Sequence, residues 1–134
     1  MQTVTATANN IRISEKKMKF LIDQIKKMNP QQAVAILDYT TKSSSQPLKK
    51  AIASAMANAK NNMGLDENSL KFKSIFVTRG PMLKRFRPVS RGRAHAILKR
   101  TSHITITLEG DVKKQASAPK AEVKQIEEKK EEKK

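Results

Sequence analysis

The sequence predicts an α+β domain: a small antiparallel β-sheet with three helices on one face, a long extended β-hairpin, and a disordered C-terminal tail. Three observations predict it. Apolar residues alternate with period two near both ends of residues 1–110, at Val4, Ala6 and Ala8 and again at Ile104, Ile106 and Leu108. Between them, three stretches carry apolar residues at helical spacing, the second and third opened by Pro30 and Pro47. Residues 70–108 then hold ten Lys or Arg and no Asp or Glu, a bias that no packed element needs.

Taken in order, residues 3–13 predict the first strand, whose β-branched threonines suit a pleated surface. Asn9-Asn10 marks a bend. Ser14 is the expected N-cap of the first helix, and Met18, Leu21, Ile22, Ile25 and Met28 form its apolar stripe. Lys16, Lys17, Lys19, Lys26 and Lys27 lie off that stripe. Asn29-Pro30-Gln31-Gln32 reads as a stop and a restart. Asn29 can cap, Pro30 suits the first helical position, and Gln32 can complete a capping box. A short helix follows to about Tyr39, with Ala33, Val34 and Leu37 inward. After a polar loop over 40–45, Pro47 opens the third helix, expected to reach about residue 62. Its stripe is Leu48, Ile52, Ala55, Met56 and Ala59, and Gly64 is placed as its C-terminal cap. Asp66-Glu67-Asn68 turns into a strand in which Leu70, Phe72 and Phe76 share one parity.

Residues 79–100 carry eight basic residues and no acid. They read as an arginine-rich excursion between two antiparallel strands, turning at Pro88-Val-Ser-Arg-Gly92. Like charges at this density repel, and unpaired charges are almost never buried. A polyanion outside the domain resolves both difficulties. Arginine outnumbers lysine near the turn, and its planar fork grips phosphate at two points and stacks on bases. Met82, Leu83, Phe86 and Val89 are interleaved, so the excursion is more than a solvated loop. Gly80, Pro81 and Pro88 should interrupt its ladder. Two arms of about ten residues would carry the turn roughly 30 Å from the body.

The formal net charge of +16 is the footprint of a nucleic-acid binder. Residues 111–134, rich in Lys, Glu and Ala, contribute only +2 of it. They lack the apolar content to bury a core and read as a disordered tail. There is no Cys and therefore no disulfide or thiolate metal site. No run of about 18 apolar residues is present for a membrane span, so a soluble cytoplasmic protein is expected. The acids before residue 110 are Glu15, Asp23, Asp38, Asp66, Glu67 and Glu109, scattered singly or set in a turn. His95 and His103 are the only histidines. Neither a catalytic constellation nor a phosphate-loop motif is present, and no catalytic residue, metal site or cofactor is expected. An RNA-binding structural protein competes here with a DNA-binding architectural protein that inserts a β-ribbon arm, and with a nucleic-acid enzyme.

Ile75-Phe-Val77, Gly80-Pro81, Lys84-Arg85, Arg91-Gly-Arg-Ala94 and the unbroken Ile97-Leu-Lys-Arg-Thr-Ser-His-Ile-Thr105 resemble the hallmark segment of the bacterial ribosomal protein L-twenty-two family. The likeness extends to Ala33-Val-Ala-Ile-Leu37 with Tyr39-Thr40, and to Ala55-Met-Ala-Asn-Ala59, spanning about residues 3–109. It implies a structural protein of the large ribosomal subunit, monomeric within the cytoplasmic ribosome. Its partners would be large-subunit (23S) rRNA, neighbouring large-subunit ribosomal proteins and the nascent polypeptide. The extended hairpin would line the exit tunnel, and the protein would support assembly. Carried onto this sequence, the rRNA-binding residues are Arg12, Lys16, Lys17, Lys19, Arg79, Lys84, Arg85, Arg87, Lys99, Arg100 and His103. The tunnel-facing tip is Pro88, Val89, Ser90, Arg91, Gly92 and Arg93. Two positions depart from the family pattern. Thr78-Arg79 stand where acids often precede the Gly-Pro, and the first helix lacks the Pro often found at its start.

Overall fold

A computed structural model describes residues 2–111. The elements run β1 (Gln2–Ile11), α1 (Glu15–Ile25), α2 (Pro30–Tyr39), α3 (Ser45–Met63), a 3₁₀ turn (Glu67–Ser69), β2 (Lys71–Arg79), β3 (Leu83–Pro88), β4 (Ala94–Lys99) and β5 (Ser102–Gly110). The antiparallel body sheet has the order β1-β5-β2, and β3 and β4 form a separate two-stranded ribbon. The α+β architecture with three helices is as the sequence predicts. The expected tail lies outside the described residues from 112 onward. Asp111 itself belongs to the body, because its amide donates to Ser69 Oγ at 3.1 Å and its carbonyl accepts from the Asp66 amide at 3.1 Å.

Central strand β5 alternates perfectly. Ile104, Ile106 and Leu108 are fully buried, while the threonines between them face outward. The helices supply the other half of the core. Met18, Leu21, Ile22 and Ile25 face inward from α1, and Leu48, Ile52, Ala55 and Ala59 from α3. The alanines of α3 let it approach β1 and β5 closely, α1 packs toward β2, and α2 rests on α3. Met28, expected on the stripe of α1, lies past the helix end and is exposed. Ser14 and Asn29 occupy the N-cap positions, yet neither side chain makes a capping hydrogen bond.

Helix α3 starts two residues earlier than Pro47 predicts. A proline is tolerated anywhere in the first turn, where its missing N–H has no partner to lose. The early start is held by the Ser45 hydroxyl, which hydrogen-bonds the carbonyls of Lys42 (2.7 Å) and Thr40 (2.9 Å). Gly64 closes the helix at φ 60° with its amide on the Ala59 carbonyl, as expected of a left-handed cap.

Phe76 corrects the sequence reading. It shares sequence parity with Leu70 and Phe72, yet it is 62% exposed while Ile75 and Val77 pack on the core. The register explains the switch. Phe72 pairs with Leu108 but Ser74 pairs with Thr107, so a bulge at Lys73 inserts one residue into β2. One extra residue exchanges the faces of everything beyond it. A second irregularity falls between Ala8 and Ile11 of β1, where Asn10 adopts φ 57°. This is the bend anticipated at Asn9-Asn10.

The excursion is also more ordered than a loop. Pro81 has no amide to extend the ladder of β2, and the chain re-pairs only from Leu83 opposite Lys99. Six paired residues on each side make a regular ribbon of about 20 Å.

Candidate nucleic-acid interface

The ribbon stands away from the core, and every residue from 84 to 100 is exposed. Its register sorts the side chains by face, because residues directly opposite across an antiparallel pair share one. Arg85 pairs with Ile97, Arg87 with His95 and Leu83 with Lys99, which gathers four cation-bearing or imidazole side chains on one face. Phe86 pairs with Ala96, Pro88 with Ala94 and Lys84 with Leu98, so the other face is mainly apolar. Phe86 at its centre is 74% exposed. Composition alone cannot show this two-sidedness, since it depends on which residues lie opposite one another.

At the tip, the Val89 amide donates to the Arg93 carbonyl at 2.8 Å and the Arg93 amide to the Ser90 carbonyl at 3.4 Å. Arg91 and Gly92 between them have φ 59° and 68°. Positive φ at both central positions is what a type I′ hairpin turn requires. Glycine adopts it without strain and arginine does not. The turn therefore keeps an arginine where its backbone is better suited to Asn or Gly.

At the base of the ribbon, basic side chains from four segments converge. Arg12 and Lys17 share a groove of about 390 Å³ with Lys99 and Arg100. Lys16, Arg79 and Arg100 line an adjoining one of about 270 Å³. Arg12 leaves β1, Lys16 and Lys17 ride the first turn of α1, and Arg79, Lys99 and Arg100 mark the two crossings between body and ribbon. Six of the residues expected to bind RNA are thus brought together, although they span 89 positions of sequence from 12 to 100.

Among the described residues, Glu15 is the one acid in this cluster. It holds Lys19 Nζ at 2.6 Å and lies 3.7 Å from Arg79 Nε. The Lys19 hydrogen bond, then the Lys19 charge, hold its carboxyl below the ordinary carboxylate range, with a further contribution from Arg79. Lys19 is therefore engaged within the chain. Arg79, one of the residues that depart from the family pattern, thus forms an ion pair with the first residue of α1.

His103 is placed differently from the other candidates. Its Nδ1 accepts the amide of Asn10 at 3.1 Å and so ties down the left-handed residue in the β1 irregularity. Lys84, Arg85, Arg87 and the tip lie out along the ribbon, apart from the basal cluster. Lys42, not singled out from the sequence, lines a groove with Lys16 and Lys17. It sits in a polar loop, where periodicity carries no signal. Among the described residues, no group of three or more His, Asp or Glu is placed to hold a metal ion, and no helix is long and apolar enough to cross a membrane.

The family model described as ribosomal protein L22p/L17e matches residues 6–109. The chain belongs to this family. It is 44% identical over 108 residues to the large ribosomal subunit protein uL22 of Desulfitobacterium hafniense, an alignment covering 81% of this chain and 95% of that protein. It is 45% identical over 103 residues to the protein of the same name from Pediococcus pentosaceus, covering 77% and 87% respectively. The matched region runs from Ala6 within β1 through the three helices and the whole ribbon, and stops at Glu109, one residue short of the end of β5.

Proposed function

We propose that this protein is a structural constituent of the large ribosomal subunit, in the ribosome of the cytoplasm, and binds large-subunit rRNA through the ribbon and the basic cluster at its base. The observation that carries this reading is the convergence of Arg12, Lys16, Lys17, Arg79, Lys99 and Arg100 where an exposed, two-faced ribbon leaves the body. Membership of the family and the names of the relatives support it. Phosphates would neutralise the cluster and the Arg85–Arg87 face, and bases or apolar surfaces would cover Phe86 and its neighbours. The tip, Pro88 to Arg93, would lie on the wall of the nascent-chain tunnel, with Arg91 offering its charge to the passing polypeptide. The protein acts here as a monomer among neighbouring large-subunit proteins and supports assembly without catalysis.

Binding to large-subunit rRNA and to duplex DNA at equal salt tests the reading. Tighter binding to the rRNA is expected, with a steep salt dependence from counterion release. Replacing Arg85, Arg87, Arg91 and Arg93 together with Gln should weaken that binding and flatten its salt dependence. An unchanged slope, or a preference for duplex DNA, would overturn it.

A further inference from the structure

Phe20 lies outside the apolar stripe of α1 and is 58% exposed. A side chain there needs no apolar character for folding. Phe20 nevertheless forms part of a groove of about 460 Å³, with Lys16 and Lys17 from its own helix and Lys42, Ser43 and Ser44 from the loop ahead of α3. That volume falls in the usual range of small-ligand clefts, roughly 300–1,000 Å³. The groove has a fixed geometry, because the buried Ser44 hydroxyl donates to the Lys17 carbonyl at 3.3 Å and ties the loop to the helix. Lys16, Lys17 and Lys42 make no ion pair with any described residue. Lys17 and Ser43 also line the basal groove of Arg12, Lys99 and Arg100, so the two adjoin.

We propose that this groove receives one unpaired nucleotide of the bound RNA, with its base against Phe20 and its phosphates toward Lys16, Lys17 and Lys42. The inference rests on the RNA-binding reading above and deepens it. An aromatic face rimmed by cations matches the two halves of a nucleotide, a flat π-system and an anion. A peptide partner of apolar character would leave three lysines uncompensated. An acidic peptide would leave the aromatic face without a stacking partner.

The full chain, bound to deproteinised large-subunit rRNA, provides the test. Phe20→Leu should lower affinity at least about fivefold with the salt slope unchanged, because stacking and not charge is lost. Phe20→Tyr should bind like the parent. Lys42→Gln should flatten the slope by roughly 0.7, as for one single-strand phosphate contact. Ultraviolet irradiation of the parent complex should place a nucleotide adduct on the tryptic peptide Phe20–Lys26. Equal affinity of Phe20→Leu and parent, or an adduct absent from that peptide, would overturn the site while leaving RNA binding intact. A Phe20→Leu variant that binds rRNA normally but loses a protein neighbour in reconstituted subunits would overturn it too, in favour of a protein occupant. A parent chain that fails to bind the rRNA would overturn the functional reading itself.

Discussion

The Gly80 amide donates to the Thr101 carbonyl at 3.0 Å, at the joint where the body sheet ends and the ribbon begins. The Thr101 hydroxyl returns the contact by donating to the Pro81 carbonyl at 2.6 Å. A Cβ on Gly80 would meet that hydroxyl oxygen at 2.5 Å and His103 Nε2 at 3.1 Å. Glycine is required here by close approach, since no positive φ is involved. Gly80→Ala should therefore destabilise the protein by about 1–3 kcal/mol through overpacking. Thr101→Ala should cost about 1 kcal/mol through the lost hydrogen bond. The double variant should be less destabilised than the sum, because removing the hydroxyl vacates the space the new methyl needs. Urea unfolding of all four proteins measures this, and strict additivity would contradict it.

Glu15 draws Lys19 and Arg79 toward itself and so competes with phosphate for both. Glu15→Gln should tighten binding to large-subunit rRNA and steepen its salt dependence, since two more cations become available to release counterions. The pH dependence follows from the lowered carboxyl pKa. A depressed carboxylate contributes stability that is present above its ordinary value of 4.5 and fades as pH falls through the lower folded value. The stability difference between parent and Glu15→Gln should accordingly shrink below pH 4.5. A difference that grows on acidification would show that the pair does not act this way.

Most of the body was legible in the sequence because its elements bury regular stripes. The stripe Met18-Leu21-Ile22-Ile25 and the alternation Ile104-Ile106-Leu108 each repeat at the period of the element that carries them. Phe76 was misread because a bulge has no compositional mark, and one inserted residue inverts the parity that the reading depends on. The basal cluster was legible as a set of basic residues but not as a site. Nothing in the local pattern says that Arg12 and Arg100 share a groove, because their meeting is fixed by β1 and β2 flanking β5. His103 is expected to bind rRNA only through the family resemblance, and nothing in the sequence shows that its Nδ1 accepts the Asn10 amide. Lys42 had no signal, being one lysine among many in an irregular loop.

Ser102 is fully buried, and its hydroxyl oxygen has no hydrogen-bond partner among the described residues. A buried hydroxyl left unpaired carries a desolvation penalty with nothing to offset it. Ser102→Ala should be neutral or stabilise the fold by up to about 1 kcal/mol, read as an unchanged or higher urea midpoint with an unchanged slope. A loss of more than about 1 kcal/mol would mean the hydroxyl has a partner in solution.

The two faces of the ribbon should fail in different ways. Arg85 and Arg87 share one face with His95, while Phe86 and Leu98 share the other with Ala94 and Ala96. All four large side chains are exposed, Phe86 at 74% and Leu98 at 42%. None is needed by the core, so neither pair of substitutions should change the unfolding free energy by more than about 0.5 kcal/mol. Arg85→Gln with Arg87→Gln should weaken rRNA binding most at low salt and flatten the slope, because the loss is electrostatic. Phe86→Ala with Leu98→Ala should weaken binding by a similar factor at every salt concentration, because apolar contact and stacking release no counterions. Parallel binding curves for the first pair, or a flattened slope for the second, would show that the register does not divide phosphate contact from base contact. The same measurement with Arg91→Asn serves as the control at the tip. Asparagine tolerates the positive φ that Arg91 is held in, so the turn should be kept. Only the charge that Arg91 presents is then removed, and any change in binding reports on that charge and not on the backbone.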